Sequence, residues 1–353
     1  MDTNCLGGGI IAKRLYTRAA IEKMAEFSLE RGNQLLKDGL TNAEANATVQ
    51  AEVNDKFSES AIVQFIEDTA DGWVAKAFSD MDDKLTSSNA SMQSFLQHNS
   101  MLWQDGFDKS EMLYLMILEM SDHYQAYYLD LSDKTRNALK NRYYVLRKLH
   151  GRACQQFYEI LWLLRGGFAD GAYARWRSLF ELSVMAEFIS QNDEQIAKAF
   201  VDFVKTNEEK DYGWAKKAPC FASLKPKASV TFEMIRSQCT TITEDWKKAY
   251  KESCQVVHAS PLGTLGRMGS PNENRVISTG SSDYGLAPPA VNSAISLMHV
   301  TLFYFGLLSQ MDSRAMIRTI QKWLDNLIDC YTSINSRSFS LEEISDNLPQ
   351  TYE

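Results

Sequence analysis

The sequence predicts an all-α protein: a multi-helix bundle with an N-terminal helical extension and a long Gly-rich loop. Three observations carry this. The first proline is Pro219, and because proline breaks helix interiors, so long a stretch without one fits long uninterrupted helices. Apolar residues recur at helical spacing through most of the chain, and strand-like alternation is nearly missing, which argues against a dinucleotide fold. With 353 residues, 44% of them hydrophobic, the chain can bury one large core or two smaller ones and is too apolar for disorder.

Taken in order, Lys13 to Lys37 carries Leu15, Ala19, Ile21, Met24, Phe27, Leu35 and Leu36 at helical spacing and stops at Asp38-Gly39. Thr41 is placed to cap a second helix, and a third covers Ser58 to Lys84. The stretch Ser87 to Lys109 is polar and irregular, so a boundary is drawn near residue 108, giving an extension (1–108) and a core domain (109–353). Core helices are expected at about 110–130, 133–165, 171–190, 193–210, 241–258, 289–310 and 312–335. Gly166-Gly167 should turn the second of these back on the third as a helical hairpin. Asp211 to Ser229 and the loop Ala259 to Pro289 break the pattern, and Arg275 to Ser278 in that loop has the composition of a short strand.

Composition narrows the setting. The six cysteines are scattered without a Cys-x-x-Cys pair, so no metal site, cofactor or disulfide scaffold is expected, and a cytoplasmic location follows. The N-terminus lacks the basic and apolar regions of a secretory signal. The apolar run Ala290 to Leu308 is interrupted by Asn292, Ser293, Ser296, His299 and Thr301, which predicts a buried core helix and no membrane span. Glu-x-x-His, His-Glu-x-x-His and Gly-x-Ser-x-Gly are absent, which sets aside di-iron bundles, the common zinc proteases and α/β hydrolases.

Charge is uneven. Between residues 134 and 177 lie ten Lys or Arg and two acids, so this window carries +8 in a chain of net charge −8. Either these basic helices face acidic ones, or they form a phosphate-facing patch in which Arg142 and Arg147 contact the ligand and Tyr143 and Tyr144 stack on it.

Two segments hold the candidate chemistry, AYARWRSLFE at 172–181 and YKESCQVVHASP at 250–261. Arg177 and Glu181, four apart, can meet on a helical face that continues through Val184 and Phe188, which predicts a mostly buried ion pair. The pair either fixes helix register or serves a site. His258 should close the helix that starts near Thr241, with Thr241 and Glu244 at capping-box spacing and Pro261 beyond the end. A histidine there suits phosphate binding or general acid work, or simply caps carbonyls. Asn292, Ser296 and His299 share one line of an apolar helix, where a satisfied contact within the bundle is the plainer reading.

The segments GAYARWRSLFEL and YKESCQVVHASP resemble a bacterial all-helical family of unknown function, over about 140–310. In that family an Arg-Ser-Leu-x-Glu helix is followed by a Tyr and then a Ser/Val-x-His-x-Ser segment. The resemblance implies site roles for Arg177, Glu181, Tyr250, His258 and Ser260. A looser analogy is to the HEPN ribonucleases, which pair an arginine and a histidine without metal; their Arg-to-His spacing of four to six residues is not met by Arg142 or Arg147 with His150. The function expected on these grounds is an effector in a toxin or phage-defence setting. It would bind, and in the fuller version cleave, RNA or a related phosphodiester. Arg177 would stabilise the phosphate, Glu181 would hold Arg177, His258 would move the proton, and Arg175, Tyr250, Ser260, Arg142 and Arg147 would bind substrate. A nucleotide is the other ligand considered, with a homo-oligomer or a defence-system protein as partner. The competing class is a non-enzymatic helical interaction or sensor protein in which the Arg-Glu-His cluster is structural.

Overall fold

The computed structural model describes residues 18–205, 212–225, 227–258, 279–308 and 310–345, together with Pro261 and Thr264. Eleven α-helices and no strand occur among the described residues. The expected strand at 275–278, the glycines at 263, 266 and 269, and Ser260 lie outside them.

The chain divides into two compact units, residues 1–90 and 91–353. The first holds α1 (Arg18–Lys37), α2 (Asn42–Lys56), α3 (Glu59–Ser79) and the start of α4 (Met81–Asp130). Thr41 caps α2 as its sequence suggests: its hydroxyl accepts the Glu44 N–H, while the Glu44 carboxylate accepts the Thr41 N–H at 2.9 Å. Arg31 and Glu52 tie α1 to α2 through two hydrogen bonds of 2.8 and 2.9 Å.

Residues 87–109, read from sequence as irregular, are helical throughout as part of α4. The reason lies in what the helix buries. Asn99, Trp103, Gly106, Phe107, Ser110, Leu113, Ile117 and Tyr124 form one buried face, and its early part alternates the polar or small Asn99, Gly106 and Ser110 with the aromatic Trp103 and Phe107. Asn99 donates to the carbonyls of Leu164 and Arg165 at 3.1 and 2.9 Å, closing the end of α5. A polar residue thus occupies a core position, and composition alone conceals the stripe.

The second unit is built on α5 (Asp133–Arg165), α6 (Ala169–Gln191), α10 (Ala287–Phe305) and α11 (Met311–Ser345), with α7 (Glu194–Phe203), α8 (Phe232–Arg236) and α9 (Glu244–Val257) packed around them. Helices α5, α6 and α10 pack against one another, α11 packs on α10, α7 on α5, and α8 and α9 on α6. Their shared core includes Phe157, Trp176, Phe180, Phe188, Tyr304 and Phe305. The hairpin between α5 and α6 turns at Gly167, whose φ of 75° is a left-handed conformation open to glycine. Helix α10 is the predicted core helix and begins two residues before Pro289, with its prolines in the first turn, where their missing N–H groups have no intrahelical partner to lose. No described helix is long and apolar enough to cross a membrane.

Between α7 and α9 the broken pattern resolves into short 3-10 turns at Gly213–Lys217 and Pro219–Phe221 and the five-residue α8. Their brevity hid them, since one turn gives no periodicity to read.

Candidate functional site

Arg177 and Glu181 project from α6 towards α9, where Tyr250 completes a chain of three groups. Arg177 Nε donates to the Tyr250 hydroxyl at 3.4 Å, and that hydroxyl donates to Glu181 Oε1 at 2.8 Å. The two charged groups are also 3.4 Å apart directly. Their side chains remain 31% and 34% exposed, so the expectation of a mostly buried pair is corrected. Phe180 and Val184 take the buried side, and the pair sits at its margin. The hydrogen bond to Tyr250 raises the Arg177 pKa, and burial pushes the Tyr250 phenol above its ordinary range.

Sequence reasoning did not foresee Arg236. Its guanidinium and that of Arg177 both stand 5.7 Å from the Tyr250 ring centre, an arrangement favoured by the ring's negative face. Arg236 is paired with Glu233 at 2.5 Å.

His258 does close α9 as its C-cap, and it is exposed. Among the described residues its side chain makes no hydrogen bond or ion pair, and it follows Tyr250 by about 12 Å along the helix axis. Arg177 and Glu181 are joined to each other, and no hydrogen bond or ion pair among the described residues joins His258 to either. The helix start is also corrected: Thr243, not Thr241, caps α9 by accepting the Trp246 N–H at 3.2 Å.

Thr241 has another task. Its hydroxyl donates to Glu187 Oε2 at 2.5 Å and lies 2.6 Å from His299 Nε2, which is itself 3.3 Å from Glu187 Oε2. Because the hydroxyl hydrogen is spent on the carboxylate, His299 must donate through Nε2–H. Glu187, wholly buried, also accepts the N–H groups of Thr240 and Thr241 at 2.6 and 3.0 Å and the Gln191 amide at 2.8 Å. Burial raises its pKa, but the hydrogen bonds from His299 and Thr241 outweigh that and bring it to about 2. Ser296, on the same line as His299, accepts from Trp176 Nε1 at 2.8 Å and is a core contact.

The basic window separates into two groups. Arg142 reaches Glu194 at 3.1 Å, and Glu194 also accepts the N–H groups of Asn141 and Arg142, so this arginine ties α7 to α5. Arg165 pairs with Glu111, Arg136 with Asp133, and Arg175 with Glu159 at 2.5 Å. By contrast Arg147, Lys148 and Arg152 are exposed and have no acidic partner among the described residues. Together with Tyr144, Gly151, Gln155 and Arg175 they line a groove of 680 Å³. Tyr144 is half exposed, while Tyr143, also expected to stack on a ligand, is buried against Tyr128 with ring centres 3.4 Å apart. His150, on the inner face of α5, is buried against Thr301 at 3.1 Å, and burial lowers its pKa to about 4.

No curated protein and no solved structure matches the chain. The matched region is narrower than the 140–310 read from the motifs; it holds Arg177, Glu181 and Glu187 and stops before Tyr250 and His258. The motif resemblance to an uncharacterised family is borne out: residues 143–249 match the model of a family of unknown function, DUF5677.

Proposed function

We propose that the protein binds single-stranded RNA through the groove on α5, and that it does so without cleaving it. The observation that carries this reading is the trio Arg147, Lys148 and Arg152, three exposed cations left unneutralised on a chain of net charge −8. Such a cluster attracts phosphate over about a Debye length, roughly 10 Å at moderate salt, whatever the sign of the distant surface. Tyr144 supplies an aromatic face within the same groove, and unpaired bases stack on such faces where duplex bases cannot.

Cleavage has less support. Arg177 is engaged by Glu181 and Tyr250, and His258 bonds to neither. The Arg177–Tyr250–Glu181 chain is accordingly assigned a structural part, holding α9 on α6. The test of binding is its salt dependence with a short single strand. Three or four cations on phosphates give a slope of log K against log salt of about −2 to −3. A flat response, or no binding at low salt, would remove the proposal.

A further inference from the structure

One residue of the proposed RNA groove has no packing reason within the protein. Gly151 stands in the middle of α5 and is exposed, and a Cβ there would meet nothing within 4 Å. Glycine is the poorest helix former after proline, because its backbone gives up the most freedom on becoming helical. At Gly167 a positive φ and close neighbours require it; at Gly151 neither does. What glycine allows on an exposed helix face is the approach of a ligand to the backbone itself.

The same helix face carries a second aromatic platform. Trp162 follows Tyr144 by 18 residues, five turns of α-helix, so the two side chains leave α5 in one direction about 27 Å apart, with Gly151 on the line between them. Both are open to water, Tyr144 at 51% and Trp162 at 56% exposure, and Trp162 lies beyond the residues that line the groove. Each has a cation beside it. Lys148 Nζ is 5.7 Å from the Tyr144 ring centre, and the Arg165 guanidinium is 5.5 Å from that of Trp162. Tyr158 meets Trp162 at a right angle with ring centres 6.1 Å apart, and is itself stacked on Tyr114 of α4 at 4.8 Å, so packed rings hold the platform in place. We infer that the RNA strand lies lengthwise along α5, its backbone closest to the helix at Gly151 and its bases stacked on Tyr144 at one end and on Trp162 at the other. This rests on the RNA-binding reading and extends it: at about 3.4 Å per stacked nucleotide, the track spans about eight nucleotides.

The test is the affinity of the full chain for a single-stranded RNA of about ten nucleotides at low salt, read beside thermal unfolding and sedimentation. Gly151→Leu puts a better helix former on an exposed face, so the melting temperature should rise while affinity falls about tenfold, two effects that a purely structural glycine would not combine. Trp162→Ala should also weaken binding about tenfold. Its salt dependence should be unchanged, because no charge is lost, and Trp162→Phe should restore most of the affinity. If the wild type binds RNA and either Gly151→Leu or Trp162→Ala binds equally well, the inference is overturned and the RNA-binding reading stands; if the wild type binds no RNA at low salt, both fall. A wild type that sediments as a dimer, with Trp162→Ala as a monomer, would assign the exposed ring to contact between copies and overturn the inference as well.

Discussion

His299 Nε2 lies 3.3 Å from Glu187 Oε2 in the interior of the second unit, although no motif in the sequence connects them. The pair joins α6 to α10, and Thr241 closes it from the start of the α9 segment. Three separate stretches of chain are therefore fixed by one carboxylate.

The carboxylate should govern the acid stability of the protein. Its pKa is about 2 in the folded state against an ordinary 4.5, so its contribution is fully present above pH 4.5 and is lost as pH falls towards 2. A shift of this size corresponds to about 3 kcal/mol. Glu187→Gln should lower the melting temperature at pH 7, and the gap to wild type should narrow as pH drops from 4.5 to 3. A gap independent of pH over that range would show that the charge is not what stabilises.

The Arg177–Tyr250–Glu181 chain should matter less. A fully buried pair broken on one side would cost about 3 to 5 kcal/mol, but these side chains keep a third of their surface in water. Glu181→Ala and Tyr250→Phe should each cost about 1 kcal/mol, and His258→Ala should change stability within error. Chemical denaturation of the three variants checks the order.

Much of the helical framework is legible in the sequence because apolar periodicity reports burial directly: α5 begins and ends where its pattern does. Capping at Thr41 and the turn at Gly166-Gly167 are equally local and equally readable. What escapes is non-local or polar. The early part of α4 buries Asn99, Gly106 and Ser110 between Trp103 and Phe107, so its core face is only partly apolar. Thr241 has Glu244 at capping-box spacing, yet its hydroxyl is taken by the distant Glu187 and Thr243 caps the helix, which local spacing does not reveal. The joining of Arg177 to Glu181 follows from a spacing of four on one helix, whereas Tyr250, which bonds to both, and Arg236, which packs on the Tyr250 ring, arrive by tertiary packing. In the basic window, charge alone could not separate Arg142, held by Glu194, from Arg147, left free.

The hairpin between α5 and α6 has a sharp steric requirement. A Cβ at Gly167 would stand 2.4 Å from Phe95 Cζ and 2.8 Å from the Ser282 carbonyl oxygen, on a residue with φ of 75°. Gly167→Ala should therefore cost about 3 kcal/mol, combining left-handed strain with overpacking. A variant that unfolds at the same denaturant concentration as wild type would place the turn elsewhere.

On the proposed reading, Arg147, Lys148 and Arg152 form a phosphate-binding face and have no structural duty. The most direct measurement is the affinity of the triple variant Arg147→Glu, Lys148→Glu, Arg152→Glu for single-stranded RNA at low salt, read beside its thermal unfolding. Affinity should fall about a hundredfold or more, with the melting temperature nearly unchanged. A variant that binds RNA as the wild type does, or one that melts early while the wild type binds no RNA, would contradict the account.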